Sequence, residues 1–455
     1  MKKHNPLYVA IRLLSFVILL GIYFHFATLS TGNNDTFVLA SNFAIIFYAW
    51  YRIFNNQVGA YSLQQMFYLF ALFFYGIAPL IQYKYSVATV RGYFILNDTY
   101  LYINFILLLA FLFLDFMYYV SFKKIKSSAS LTETNFQLHD NTLLKLLLLF
   151  IVVGVVLYQG FINHFDWHSF LLRNGEEVKR VSLDSSVIRK LVSIIIRPLP
   201  VFIFIHYYLW GKNVLFKSLL LLCVFLACFP SSMARLSIAA YYIPILIVIS
   251  PFLRKTYNLV TTYMFSLLVL FPIFGLFRNF NIGIWLHFKE RIMNAIINVY
   301  TGMTYDSYQS FAFVFQNHFI TYGKQLLGVL LLWVPRSFWA AKPIGSGYTM
   351  ARNYNLGWEN IAMNFLGEGY INFGILGVFL FAGTLAILMA AFDKKYWVAY
   401  RGNVHTLFAP FFLIMLSNLT FLLRGDLMFG TTVICGTTLS CYIVQRIFIF
   451  FKKNK

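Results

Sequence analysis

The chain is dominated by apolar runs, each close to the roughly 20 residues that a helix needs to cross the hydrocarbon of a bilayer. About twelve are present, near 8–26, 37–54, 66–81, 100–120, 143–159, 191–210, 214–229, 236–253, 259–277, 373–392, 407–422 and 428–449. Hydrocarbon offers backbone N–H and C=O groups no partner, so runs of this kind are helices. The expected fold is therefore all-α: one polytopic helical bundle covering 1–455 with about 12 spans. Composition agrees. Of 455 residues, 60% are hydrophobic and 11% charged, where a soluble domain carries about 25% charged residues. The 52 Phe and 31 Tyr suit helix contacts and membrane interfaces. This balance excludes a soluble enzyme with one anchor, a nucleic-acid binder and a disulfide scaffold. Cys223, Cys228, Cys435 and Cys441 lie in apolar runs and form no CxxC pair, so neither a redox nor a zinc site is indicated. The first run follows Met1-Lys2-Lys3-His4 without a small-residue cleavage site, as in a retained anchor.

Charge gives the orientation. Lys+Arg number 36 against 15 Asp+Glu, a net +21. With the N-terminus in the cytoplasm, the inner connections hold Arg52, Lys123, Lys124, Lys126, Lys212, Arg254, Lys255, Lys394, Lys395, Lys452 and Lys453. Every short inner connection is then basic, and an even number of spans returns the C-terminus to the cytoplasm. Two outward segments are long, 160–190 and 278–372, where ordinary connections run about 4–6 residues. The second contains amphipathic stretches, 292–300 and 326–333, suited to helices at the membrane interface.

Positive-inside logic leaves the outward arginines unexplained. Arg235, Arg278, Arg336 and Arg424 each sit where an apolar run meets the outer face. Snorkelling to headgroups is the bland explanation for one alone. Four at one level point to an anion, because a guanidinium fork matches phosphate oxygens with paired hydrogen bonds. They are candidate ligands for a pyrophosphate or an acidic sugar, and Lys342 adds a further cation in the run that contains Arg336. Among the carboxylates, Glu368 lies between Gly367 and Gly369 at the entrance to a span, and Asp426 follows Arg424. Glu368 is the first candidate for a general base. Asp426 is the second, since it is close enough in sequence to pair with Arg424. Gly345 and Gly347 permit close backbone approach to a ligand. His164 and His168 have i,i+4 spacing without an evident third ligand, so no metal is expected. Neither a DxD pair nor a GxxxxGK[ST] loop occurs. An outward-facing reaction here would run on energy already stored in its substrate.

The run Trp333-Val334-Pro335-Arg336-Ser337-Phe338-Trp339-Ala340-Ala341-Lys342-Pro343, followed by Gly367-Glu368-Gly369-Tyr370-Ile371-Asn372-Phe373-Gly374, resembles the Wzy-type O-antigen polymerases. These are oligosaccharide repeat-unit polymerases of bacterial surface polysaccharides. Arg336 and Gly347 are separated by ten residues, similar to the Arg-x10-Gly pattern of some members. The first long loop holds Arg173, Arg180 and Arg189 but not that pattern. The resemblance implies a GT-C-like, metal-independent, inverting glycosyltransferase without a cofactor, in the bacterial cytoplasmic membrane with both termini inside. Its substrate would be an undecaprenyl-pyrophosphate-linked oligosaccharide. Membrane lipid, a chain-length regulator and a flippase would be its partners, and nucleic acid would not. Glu368 or Asp426 would be the base, and Arg235, Arg278, Arg336, Lys342 and Arg424 would hold the pyrophosphate. A flippase for the same lipid-linked sugar and an O-antigen ligase are the rival readings.

Overall fold

The computed structural model describes residues 6–30, 32–55, 58–90, 92–126, 136–162, 165, 193–272 and 288–452, with the backbone alone at 162, 231, 235, 288–293 and 295. The described residues are helical throughout, apart from connections and one isolated bridge between Leu138 and Lys452. Eight helices are long and apolar enough to cross a membrane: α1 Pro6–Ala27, α2 Thr36–Phe54, α3 Leu63–Lys84, α4 Asn97–Lys124, α5 Thr142–Ile162, α6 Ser193–Trp210, α14 Phe365–Lys394 and α16 Leu427–Phe450. The four remaining predicted runs form shorter apolar helices: α7 Val214–Ala227, α8 Arg235–Ile249, α9 Asn258–Leu270 and α15 Ala409–Arg424. Between α9 and α14 lie α10 Phe288–Thr301, α11 Ser307–Gln316, α12 Lys324–Leu330 and α13 Ser346–Asn353. Large apolar side chains stand exposed along the long helices, among them Phe150 in α5 and Phe105, Leu112 and Phe116 in α4. Water would penalise such faces, and lipid matches them. This is a helical membrane bundle.

The chain divides into two compact units. One comprises Met1–Ile125, Lys255–Ala391 and Leu419–Thr431. Its axis is α3, buried along its whole length. A π-turn at Leu72–Ile77 precedes Pro79 and absorbs the ring that a regular ladder would exclude. Around α3 the polar groups are paired. Asp115 of α4 accepts from Arg52 Nη2 (3.0 Å), Gln64 Nε2 (2.8 Å) and Tyr48. Such an ion pair is tolerable at this depth because hydrogen bonds satisfy both partners.

The same unit contains the long segment expected outside, and this segment is no solvated loop. Residues 307–314 of α11 are all buried. Tyr308 donates to Asn104 Oδ1 (2.7 Å), Gln309 accepts from the Thr89 N–H (2.6 Å), and Gln82 donates to the carbonyls of Tyr300 and Tyr305 (2.9 Å each). The stretches read as amphipathic form α10 and α12.

The other unit comprises Lys126–Arg254, Phe392–Asn418 and Thr432–Lys455. There Asp140 accepts from Tyr207 (3.0 Å) and from the Lys212 N–H (2.9 Å), and pairs with Lys145 (3.4 Å). The 160–190 loop lies outside the described residues apart from its first residues and Phe165.

The element that shapes the candidate site is α14, because it is broken. Phe373 (φ −143°, ψ 23°) and Gly374 (φ 63°, ψ −150°) leave helical geometry, and a positive φ is a conformation that glycine adopts freely. The rings of Phe365 and Phe381 meet at 5.2 Å; in a straight helix, 16 residues would separate them by about 24 Å. A Cβ on Gly369 would lie 2.4 Å from the Gly377 carbonyl oxygen, and one on Gly377 would lie 1.9 Å from that of Gly369. Residues 365–372 are therefore a half-helix folded back against 375–394, in a crossing that only glycines permit. Asn364 caps the half-helix, accepting from the Gly367 N–H (2.7 Å) while donating to the Ser307 carbonyl (2.7 Å). At the other end, the carbonyls of Ile371 and Asn372 accept from the N–H groups of Thr321 (2.6 Å) and Gly323 (2.9 Å). Both ends of this short element are thus held by partners outside it.

Candidate functional site

The half-helix brings Glu368 to the start of α16. Its Oε1 accepts from the Leu427 N–H (3.0 Å) and its Oε2 from the Ser346 hydroxyl (2.6 Å), and the side chain is 1% exposed. Beside it, Asp426 caps α16, accepting from the Met428 N–H on Oδ1 (2.9 Å), and takes the Gly347 N–H on Oδ2 (3.3 Å). The two carboxylates lie between the first N–H groups of α13 and α16, where helix dipoles favour negative charge. The glycines make the approach possible. A Cβ at Gly345 would come within 2.3 Å of Asp426 Oδ2, and one at Gly347 within 2.0 Å of the Ile361 carbonyl oxygen. Burial raises the Asp426 carboxyl above the usual range, since desolvation disfavours the charged form. Asp426 keeps more contact with solvent than Glu368. The arrangement caps two helices and places two buried carboxylates within electrostatic reach of each other.

The predicted cations separate into distinct roles. Arg336 is exposed, and its fork donates to the carbonyls of Lys342 (2.6 Å) and Pro343 (2.9 Å). Lys342 is buried and donates to the carbonyls of Leu332 (2.8 Å) and Val334 (2.9 Å). Together they lace one hairpin, 332–343. This hairpin reaches the carboxylate pair through α12, where Gly328 sits against both Pro343 and Met428.

Arg424 does not make the expected pair with Asp426. It turns to the 303–306 turn, donating to the carbonyls of Thr304 (2.8 Å) and Met303 (2.9 Å) and pairing with Asp306 (3.4 Å). The reason is geometric: Asp426 is spent on the N–H groups of α13 and α16, while Asp306 is buried and needs a cation. Arg235 is the first residue of α8, in the other compact unit. Arg278, His164 and His168 lie outside the described residues.

Three residues of this site were not assigned from the sequence. Ser346 was legible as the residue between two glycines. Asn372, within the Gly367–Gly374 run, is the last residue of the half-helix, and its Oδ1 accepts from the Leu326 N–H (2.8 Å). Asp306 also accepts from the Ala362 N–H (3.3 Å), and burial, partly offset by Arg424, raises its carboxyl to about 6. No spacing rule links Asp306 to Arg424. Among the described residues no cluster of three or more His, Cys, Asp or Glu is set to hold a metal ion.

No family model matches the chain, and no curated protein or solved structure shows significant similarity to it.

Proposed function

We propose that this protein is a polysaccharide polymerase of the outer face of the bacterial cytoplasmic membrane. It joins undecaprenyl-pyrophosphate-linked repeat units, with twelve spans in a GT-C-like arrangement and both termini inside. The observation that carries the reading is convergence. The two segments that resemble the Wzy-type polymerases, 333–343 and 367–374, are separated in sequence yet lead to one carboxylate pair: the second supplies Glu368, and the first runs within two residues into Gly345, which lies against Asp426. The hairpin with Arg336 and Lys342 reaches it through Pro343, Gly328 and Met428, and the half-helix delivers Glu368.

In this reading the acceptor sugar's hydroxyl oxygen attacks the anomeric carbon of the donor chain. The bond from that carbon to the pyrophosphate oxygen breaks, and its electron pair leaves with undecaprenyl pyrophosphate. The hydroxyl proton passes to the carboxylate pair. Access favours Asp426 over Glu368 as the group that meets the hydroxyl, with Glu368 holding the turn in place. Cations on the outer side stabilise the leaving pyrophosphate. Arg336 is the most exposed of those described in this unit, and Arg424 is committed to Asp306.

The test is direct. Purified protein is incubated with one lipid-linked repeat unit, without metal or nucleotide, and the products are resolved by size. A ladder of longer chains is expected. No ladder from a cognate repeat unit that binds the protein would reject the polymerase in favour of transport.

A further inference from the structure

Next to the carboxylate pair lies an open cleft of about 630 Å³, within the range of about 300–1,000 Å³ typical of small-molecule sites. One wall is the 319–325 connection and the other is α13 with the chain before it. Both walls are fixed to the elements that hold the carboxylates. Thr321 is bonded to the Ile371 carbonyl, three residues along the half-helix from Glu368. Tyr348, Thr349 and Arg352 belong to the helix whose first residue, Ser346, donates to Glu368. The lining is mixed in the way a sugar requires. Tyr322 is 85% exposed and presents an aromatic face, and hydroxyl and amide groups stand around it. A pyranose offers a C–H face to the first and hydroxyls to the second.

The charge of the lining narrows the ligand. Lys324 and Arg352 line the cleft, and no carboxylate does; Arg352 is already paired with Glu359, which is not part of the lining, so Lys324 is the cation left to a ligand. Lys324 is exposed and, among the described residues, has no acidic partner. Arg352 is held in place by Glu359 at 3.0 Å and by stacking 4.4 Å over the Tyr348 ring, so its fork is pre-organised. We infer that the cleft binds an anionic sugar, a residue carrying a carboxylate, within the repeat unit. This rests on the carbohydrate reading of the site above and adds to it the class of sugar selected.

Binding to the full chain in phosphatidylcholine nanodiscs tests this, using a panel of soluble trisaccharides. Hexuronate- and sialate-containing members are compared with their neutral counterparts, and inorganic phosphate serves as competitor. At least one acidic member should bind about tenfold or more tightly than its neutral counterpart. Lys324→Ala should remove about tenfold of that affinity and leave neutral binding unchanged. Tyr322 has a left-handed backbone (φ 51°), which Asn tolerates, so Tyr322→Asn should weaken acidic and neutral ligands alike. Equal binding of acidic and neutral sugars would overturn the inference. So would a Lys324→Ala protein with undiminished preference, or displacement by phosphate at the sugar's own concentration, which would mark a phosphate or headgroup site. The ladder assay on the same preparation separates the two proposals. A ladder without acidic preference removes only the cleft assignment. Acidic preference without a ladder removes only the polymerase.

Discussion

At the scale of the residue, the site is an exercise in satisfying buried carboxylates. Glu368 and Asp426 accept from three backbone N–H groups and one hydroxyl, and leaving such donors unpaired costs about 1–3 kcal/mol each. The two should therefore respond differently. Asp426→Asn, at the more accessible edge, is expected to lower turnover by about 10²–10⁴-fold, the range of general-base assistance, while the protein still binds the lipid-linked donor. Glu368→Gln keeps an oxygen for the Leu427 N–H and turns an amide N–H₂ to the Ser346 hydroxyl, which can rotate to accept it, so it should lower turnover less than Asp426→Asn at little cost in thermal stability. Measuring both in purified protein decides the assignment, and the opposite ranking of turnover in equally stable proteins would return the base to Glu368. Asp306 gives a pH test. Its carboxyl is raised from 3.8 to about 6, so the folded state binds the proton more tightly than the unfolded one. The stabilisation is complete below about pH 4 and is lost as pH rises through about 6, a loss on the order of 3 kcal/mol in all. Melting temperatures of the wild type and Asp306→Asn, taken from pH 4 to 8 in detergent, should show the wild type losing ground over that window. A constant difference would mean that Asp306 does not titrate there.

At the scale of the element, the half-helix is the unit that matters. Eight residues make a marginal helix alone; this one persists because its ends are capped and its glycines lie against the opposing backbone. Gly369→Ala or Gly377→Ala would force the two arms apart, and overpacking of this kind costs typically about 1–3 kcal/mol. Both variants should melt lower and lose activity. Gly154→Ala is the control. It lies exposed in α5 with nothing within 4 Å of the added carbon, so it should be neutral or stabilising by up to about 1 kcal/mol. Equal behaviour of all three would mean that the crossing is loose. The sequence marked the boundary of this element well: the apolar run was read as starting at residue 373, where the helix breaks. It did not mark the fold-back, because the residues before the break also favour helix, and nothing local reverses their direction.

At the scale of the whole molecule, the proposed orientation puts the 324–344 region outside. Ser337 is exposed, and Ser337→Cys in a protein freed of its native cysteines should react with an impermeant thiol reagent in intact spheroplasts. Lys212→Cys, on a predicted inner connection and exposed, should react only after the membrane is opened. The reverse pattern would invert the map. Ser346 would not serve as a probe, since it is buried against Glu368.

What the sequence determined alone is the environment and the class of structure. Transfer of apolar side chains to hydrocarbon is nearly additive along a run, and backbone pairing within a helix is local, so hydropathy identified the helices of the bundle without reference to their neighbours. It also singled out Glu368 and Asp426, each beside a glycine, and the glycines on either side of Ser346, because these are local patterns. Only the tertiary structure decided the partners. Arg424 is two residues from Asp426 but finds Asp306, 118 positions away. Arg336 and Lys342 are occupied by carbonyls of their own hairpin. The long segment expected outside, polar enough to read as a loop, buries α11 among α3 and α4. A charge or an amide goes where its desolvation is best compensated, and that depends on which distant groups the fold has already placed there.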